Sequence, residues 1–183
     1  MNITNLSNDH LMLQQVAELL IDGFKDTGSV DWTTLESALD EVRESLGEDR
    51  VSRIAIDERG NVLGWIGGIK EYGGHVWELH PLVVSRDYRG KGIGRALVED
   101  FEKQVKIRGG LTIRLGADDE NNRTSLGGID LYPDVLKHIS KIKNLRDHPF
   151  EFYQKLGFVI TGVIPDANGF GKPDIFMTKR VSQ

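Results

Sequence analysis

The stretch Trp77–Arg95, WELHPLVVSRDYRGKGIGR, decides the fold. It reads as a strand, a short basic glycine-rich loop and the start of a helix. Side chains alternate along a strand, so Val76, Glu78, His80, Leu82 and Val84 fall on one face and Trp77, Leu79, Pro81 and Val83 on the other. Glu78 and His80 therefore project from the same face just upstream of the loop. Pro81 has no N–H for a ladder, which predicts an edge, a bulge or a splay at that point. Bulges re-aim side chains and recur beside active sites.

In the loop Arg89-Gly90-Lys91-Gly92-Ile93-Gly94, the glycines let backbone N–H groups turn inward together and let a ligand approach closely. The helix that follows presents unpaired N–H groups and a partial positive charge. Arg86, Arg89, Lys91 and Arg95 add formal charge. This is the make-up of a phosphate cradle, although a plain glycine-rich strand-to-helix turn has the same composition. No Gly-Lys-Ser/Thr follows, so it is not a P-loop. Glu78 and His80 interrupt the apolar run that a dinucleotide fingerprint requires.

Working outward, residues 9–24 read as a helix capped by Asp9, with Leu13, Val16, Ala17, Leu20 and Phe24 as its apolar stripe. A polar turn covers Lys25–Asp31. A second helix is expected over Thr33–Leu46, capped near Asp31 or Thr33 and stopped by Gly47. Val51–Asp57 and Val62–Lys70 form a hairpin about Glu58–Asn61, and Tyr72-Gly73-Gly74 turns into the central strand. Three antiparallel strands thus precede the loop. The helix after the loop runs over Gly92–Arg108 and stops at Gly109-Gly110. Leu111–Leu115 is then a strand, parallel to the central one because a helix crosses over between them.

Gly116–Arg146 is long and irregular, with a short helical stretch near Pro133–Ser140, and reads as an elaboration over the active face. A helix opens at Asp147-His148-Pro149, with Glu151 placed for a capping box, and ends at Gly157. Phe158–Ile164 and Asp174–Arg180 close the chain as antiparallel strands.

The 183 residues suit one domain with a full core, spanning 1–183. No apolar run is long enough for a transmembrane span. MNITNLSNDH lacks the basic and apolar regions of a secretory signal, so a cytoplasmic protein is expected. The chain has no cysteine, which excludes disulfides, a thiolate nucleophile and a cysteine-based metal site. No cluster has metal-ligand spacing. The net charge of −5 speaks against a nucleic-acid partner and suits a cationic substrate.

Arg89-x-x-Gly92-x-Gly94 after the strand resembles the acetyl-CoA-binding motif of the GNAT superfamily of N-acetyltransferases. Phe152-Tyr153-Gln154-Lys155-Leu156-Gly157-Phe158 resembles a second segment common in that superfamily. The order of elements matches over essentially the whole chain. The fold this implies is α/β (α+β): a mixed, mostly antiparallel sheet of about six or seven strands, splayed at the central strand and flanked by helices. Trp77–Val84, Gly109-Gly110, Asn144–Pro149, Pro165–Gly169 and Lys172–Ile175 together look like the chromosomal aminoglycoside 6'-N-acetyltransferases of Gram-positive cocci. The chain departs from them in having Phe24 where they have tryptophan, a longer link over Lys25–Trp32, and different residues after Asp119. These positions line the expected substrate side and bear on the acceptor more than on the reaction.

The resemblance implies direct acetyl transfer from acetyl-CoA to a primary amine, with no metal, no membrane, a homodimer, and aminoglycoside resistance as the function. Glu78 is the candidate base, acting directly or through a water, or it binds and orients the ammonium. His80 relays the proton or holds Glu78 in place. The Leu82 N–H is the donor to the developing oxyanion. Leu82, Val83 and Val84 hold the pantetheine arm, and Arg89, Gly90, Lys91, Gly92, Ile93, Gly94 and Arg95 hold the pyrophosphate. Tyr153 is the candidate acid for the leaving thiolate and a cofactor contact; the competing reading is a core tyrosine. Phe24, Tyr72, Glu78, Asp118 and Asp119 are candidate acceptor contacts, the two aspartates as part of an acidic patch with Glu120. The alternatives are a polyamine, another small amine or a protein N-terminus as acceptor, or an acetyl-CoA sensor without turnover.

Overall fold

The computed structural model describes residues 1–27 and 31–181, so the turn expected over Lys25–Asp31 lies partly outside the described residues. The chain divides into two compact units, Met1–Ile113 with Val181–Gln183, and Arg114–Arg180.

The first unit carries β1 (Asn2–Asn5), α1 (His10–Phe24), α2 (Leu35–Glu44), β2 (Arg50–Ile56), β3 (Val62–Glu71), β4 (Val76–Val84) and α3 (Ile93–Ile107). Strands β1 to β4 are successive antiparallel neighbours. Among the described residues there are thus four strands before the loop and not three. The four residues of β1, NITN, carry too little β preference to be read alone, and β2 supplies the ladder that makes them a strand. Asp9 caps α1 as expected, its carboxylate accepting the Met12 N–H at 3.1 Å. Helix α2 is shorter than the sequence reading and is capped by Thr34, not Asp31 or Thr33. Thr34 Oγ1 accepts the Ser37 N–H at 3.1 Å, and Ser37 Oγ accepts the Thr34 N–H at 3.4 Å. This is a capping box closed by serine, which a search for Glu or Gln at that position passes over.

Leu13, Val16, Ala17 and Leu20 of α1 and Ala38 and Val42 of α2 bury against Ile54, Trp65 and Val83. On α3, Leu97, Val98, Phe101 and Val105 are fully buried. Strand β3 receives them through its glycines: a Cβ at Gly68 would stand 2.2 Å from Phe101 Cε2, and one at Gly64 3.0 Å from Leu97 Cδ1. The helix after the basic loop is therefore seated on β3, and emptying the Phe101 site would cost about 3–5 kcal/mol.

Strand β5 (Thr112–Asp118) leads into the second unit, which holds α4 (Val135–Ile139), α5 (Phe150–Lys155), β6 (Val159–Ile164) and β7 (Asp174–Arg180). Its strand order is β5-β7-β6, with β6 and β7 antiparallel as expected. Helix α4 is the short helix read over Pro133–Ser140. Helix α5 opens at Asp147-His148-Pro149 without the expected capping box. Asp147 adopts φ +51°, the cap position falls to Pro149, which makes no side-chain cap, and the Phe150 N–H instead donates to His148 Nδ1 at 3.3 Å. Among the described residues no helix is long and apolar enough to cross a membrane.

Candidate active site

The register of β3 on β4 slips where proline predicts it. Ile66 faces Leu82 and Gly68 faces Leu79, so His80 and Pro81 together oppose Gly67. Gly67 cannot be larger: a Cβ there would lie 2.3 Å from the His80 carbonyl oxygen. Along β4 the burial alternates as read. Trp77, Leu79, Pro81 and Val83 are buried, while Val76, Glu78, His80, Leu82 and Val84 are half-buried. Two titratable side chains thus share one partly open face beside a bulge.

Beyond β4 the chain makes a 3-10 turn at Arg86–Tyr88. It then passes through Gly90 and Gly92 at φ +73° and +84°, values that favour glycine. Added Cβ atoms at these glycines would meet nothing within 4 Å, so the surface over them is open. Helix α3 starts at Ile93 with no side-chain cap and no acidic residue in its first turn. Its leading N–H groups have no intrahelical acceptor. Ile93 itself is buried and anchors the helix.

The loop cations are not all aimed at the loop. Arg86 Nη2 donates to the Asp22 carbonyl at 2.7 Å, its Nη1 pairs with Asp26 at 2.8 Å, and its Nε with the Asp22 carboxylate at 3.2 Å. Arg89 Nε donates to Val84 O at 3.2 Å and its Nη2 to Gly23 O at 3.4 Å. Both arginines staple the last turn of α1, whose end carbonyls lack helical donors. Lys91 Nζ lies 4.6 Å from the Tyr88 ring centroid, and Arg95 sits 3.8 Å from Glu99 with both side chains more than half exposed.

The end of α1 also brings aromatic rings to β4. Phe24 and Trp32 meet edge to face with centroids 4.8 Å apart, and Trp32 lies 5.6 Å from the His80 ring at 52°. In the sequence Trp32 reads only as the end of a linker. A tryptophan in a polar link was the one signal available for it. Tyr72 is 76% exposed in its turn, at φ +47°.

In the second unit, Asp118 is exposed and accepts a hydrogen bond from Asn168 Nδ2 at 2.5 Å. Asp119 corrects the reading of an acidic surface patch: it is 0% exposed. Its carboxylate accepts the N–H groups of Arg123 at 2.5 Å and Thr124 at 2.8 Å and the Thr124 hydroxyl at 2.7 Å. It organises the segment after β5 and presents no surface to a ligand. His148, absent from the sequence reading as a site residue, is also buried. Its Nε2 donates to Asp118 O at 3.1 Å while Nδ1 accepts from Phe150, so the ring is neutral with the proton on Nε2. Burial holds its pKa below the ordinary value. Tyr153 is buried, with its ring edge-on to Phe152 and Phe158 at 5.1 and 5.6 Å. Desolvation pushes its phenol upward, so it keeps its proton through the neutral range.

Residues 13–132 match the model of the acetyltransferase (GNAT) family. Two solved structures of aminoglycoside 6'-N-acetyltransferase, one complexed with coenzyme A and one from Enterococcus faecium, are each 40% identical to this chain. Each match covers 100% of this chain and 98% of the other, with TM-scores of 0.91 and 0.90. An aminoglycoside 6'-acetyltransferase type Ii is 35% identical, covering 100% and 99%, with a TM-score of 0.76. No curated protein matches the chain. The chain belongs to the acetyltransferase (GNAT) family.

Proposed function

We propose that this chain transfers an acetyl group from acetyl-CoA to the 6'-amine of aminoglycosides, in the cytoplasm, as a resistance enzyme of one acetyltransferase domain. The observation that carries this reading is the 40% identity, end to end, with 6'-N-acetyltransferases. The first unit's own geometry supports it. The open surface over Gly90 and Gly92 and the uncapped start of α3 suit a diphosphate, as the acyl donor requires. A homodimer belongs to the proposal, and the exposed Val159 and Ile164 of β6, the terminal strand, favour it.

In this reading the N–H groups at Gly92–Arg95 and the side chains of Lys91 and Arg95 hold the diphosphate, while Arg89 fixes the loop from behind. Val83 and Val84 line the donor's arm. Glu78 receives the acceptor ammonium, orients it and takes its proton, directly or through a water. His80 holds Glu78 or passes the proton on. The Leu82 N–H, next to the bulge, donates to the acetyl carbonyl oxygen as negative charge develops there. Tyr153, kept protonated by burial, returns a proton to the leaving thiolate. Phe24, Tyr72 and Asp118 contact the acceptor.

A thiol-release assay with acetyl-CoA across kanamycin, tobramycin, a 6'-hydroxyl aminoglycoside, spermidine and a short peptide tests the proposal. Turnover on the 6'-amines alone is the expected result. Turnover on spermidine or the peptide, with none on the 6'-amines, overturns the acceptor assignment and keeps the reaction. Binding of acetyl-CoA without turnover on any acceptor overturns the enzymatic reading in favour of a sensor.

A further inference from the structure

The last turn of α1 is fixed to β4 and the loop after it by three independent contacts. A Cβ at Gly23 would stand 2.2 Å from Val83 Cγ2, so the helix backbone presses directly on the Val83 side chain of β4. Arg86 and Arg89 bind the carbonyls of Asp22 and Gly23, and Arg86 adds the carboxylates of Asp22 and Asp26. The third contact is the ring row Phe24–Trp32–His80. The half-buried Trp32 thus stands between a ring on a fixed turn and the imidazole of a bulged, irregular position of β4.

We infer that Trp32 is a positioning residue for His80: its indole, backed by Phe24, fixes the orientation of the imidazole on the Glu78 face. A bulge leaves its residues without regular ladder partners on one side, so His80 needs a side-chain contact to define its ring. A tilted indole at this separation gives one, since aromatic pairs favour a definite mutual geometry. This inference rests on the proposed role of His80 in acetyl transfer. It makes the chemistry of β4 depend on the segment between α1 and α2, which regular secondary structure would not reveal.

Two readouts test it on the full-length protein. The first needs no activity: the carbon-bound ring protons of His80, assigned by loss of their signals in H80A, are recorded in wild type, W32L and W32F. The inference expects W32L to move these signals out of the indole's ring-current field and W32F to retain part of the shift. Unchanged His80 signals in W32L overturn it. The second is a double-mutant cycle on turnover. W32L is expected to lower kcat about threefold to tenfold, with KM for acetyl-CoA unchanged and most of the rate restored in W32F. In the H80A background W32L should cause no further loss. An equal loss in both backgrounds means that Trp32 acts independently of His80 and overturns the inference. If no acceptor is turned over at all, the functional reading fails and the resonance experiment still decides the positioning.

Discussion

Along β4 and α3 the side chains follow the period of the element, interrupted by one bulge and by the glycine loop between them; between Asp118 and Pro149 most of the backbone is irregular and buried side chains hold it in place. The first region alternates buried and half-buried residues along β4, then seats an amphipathic helix on glycines of β3. The second is organised by Asp119, which gathers donors from Arg123 and Thr124. Arg123 in turn donates to the carbonyls of Arg146 and Asp147, and Asn144 makes a reciprocal pair with the backbone of His148. A periodic region tolerates many substitutions that keep its pattern. A region knit by a few buried polar groups fails at those groups, because each leaves several donors unsatisfied.

Among the buried polar groups the largest expected effect on stability is therefore at Asp119. Replacing it with alanine strands three donors, and urea unfolding should register a loss of about 3 kcal/mol or more. D119N keeps one acceptor oxygen and should lose less. Equal, small losses for both would mean that the segment is not held by this carboxylate. At Gly67 the expected effect is on rate. G67A drives a Cβ into the His80 carbonyl, must shift the bulge, and should lower kcat by about 100-fold while the protein stays folded by circular dichroism. Unimpaired turnover in G67A would show that the bulge is a structural accident.

A smaller effect comes from His148. Its folded pKa lies below the ordinary 6.5 because burial disfavours the cation, and Arg123 adds to this against opposing contributions from the Asp118 carbonyl and the Asp118 and Asp119 carboxylates. The unfolded state therefore binds more protons as pH falls below about 6.5. Stability should be full above that pH and should decline below it until the folded group also titrates, with a slope of at most about 1.4 kcal/mol per pH unit from this residue. Thermal melts from pH 7.5 to 5 should show the decline, and H148Q should flatten it. A wild-type curve that stays level would remove His148 from the account.

The same contrast decides how much the sequence revealed. The two faces of β4, the bulge at Pro81, the Asp9 cap and helix α3 were legible because period and backbone chemistry are local. The short strand β1 was not, since a ladder with β2 makes it. Nor was the burial of Asp119: Asp118-Asp119-Glu120 reads as a solvated run, and only the fold separates an exposed Asp118 from a buried neighbour. Trp32 meeting His80 depends on an approach that no spacing encodes, whereas the His148 ring holding the Phe150 N–H is a contact two residues apart that a search for a capping box passes over. Arg86 and Arg89 were legible as charges but not as staples, because their acceptors lie on α1, far away in the chain.

The central claim is that the half-buried face of β4 carries the chemistry, and Glu78→Gln tests it most directly. The variant keeps size and hydrogen bonding but cannot take a proton or hold an ammonium by charge. With tobramycin and saturating acetyl-CoA its kcat/KM should fall by about 100-fold or more, with the dissociation constant for acetyl-CoA unchanged. Turnover equal to wild type would contradict the account, leaving the chain in its family but moving the chemistry off this strand.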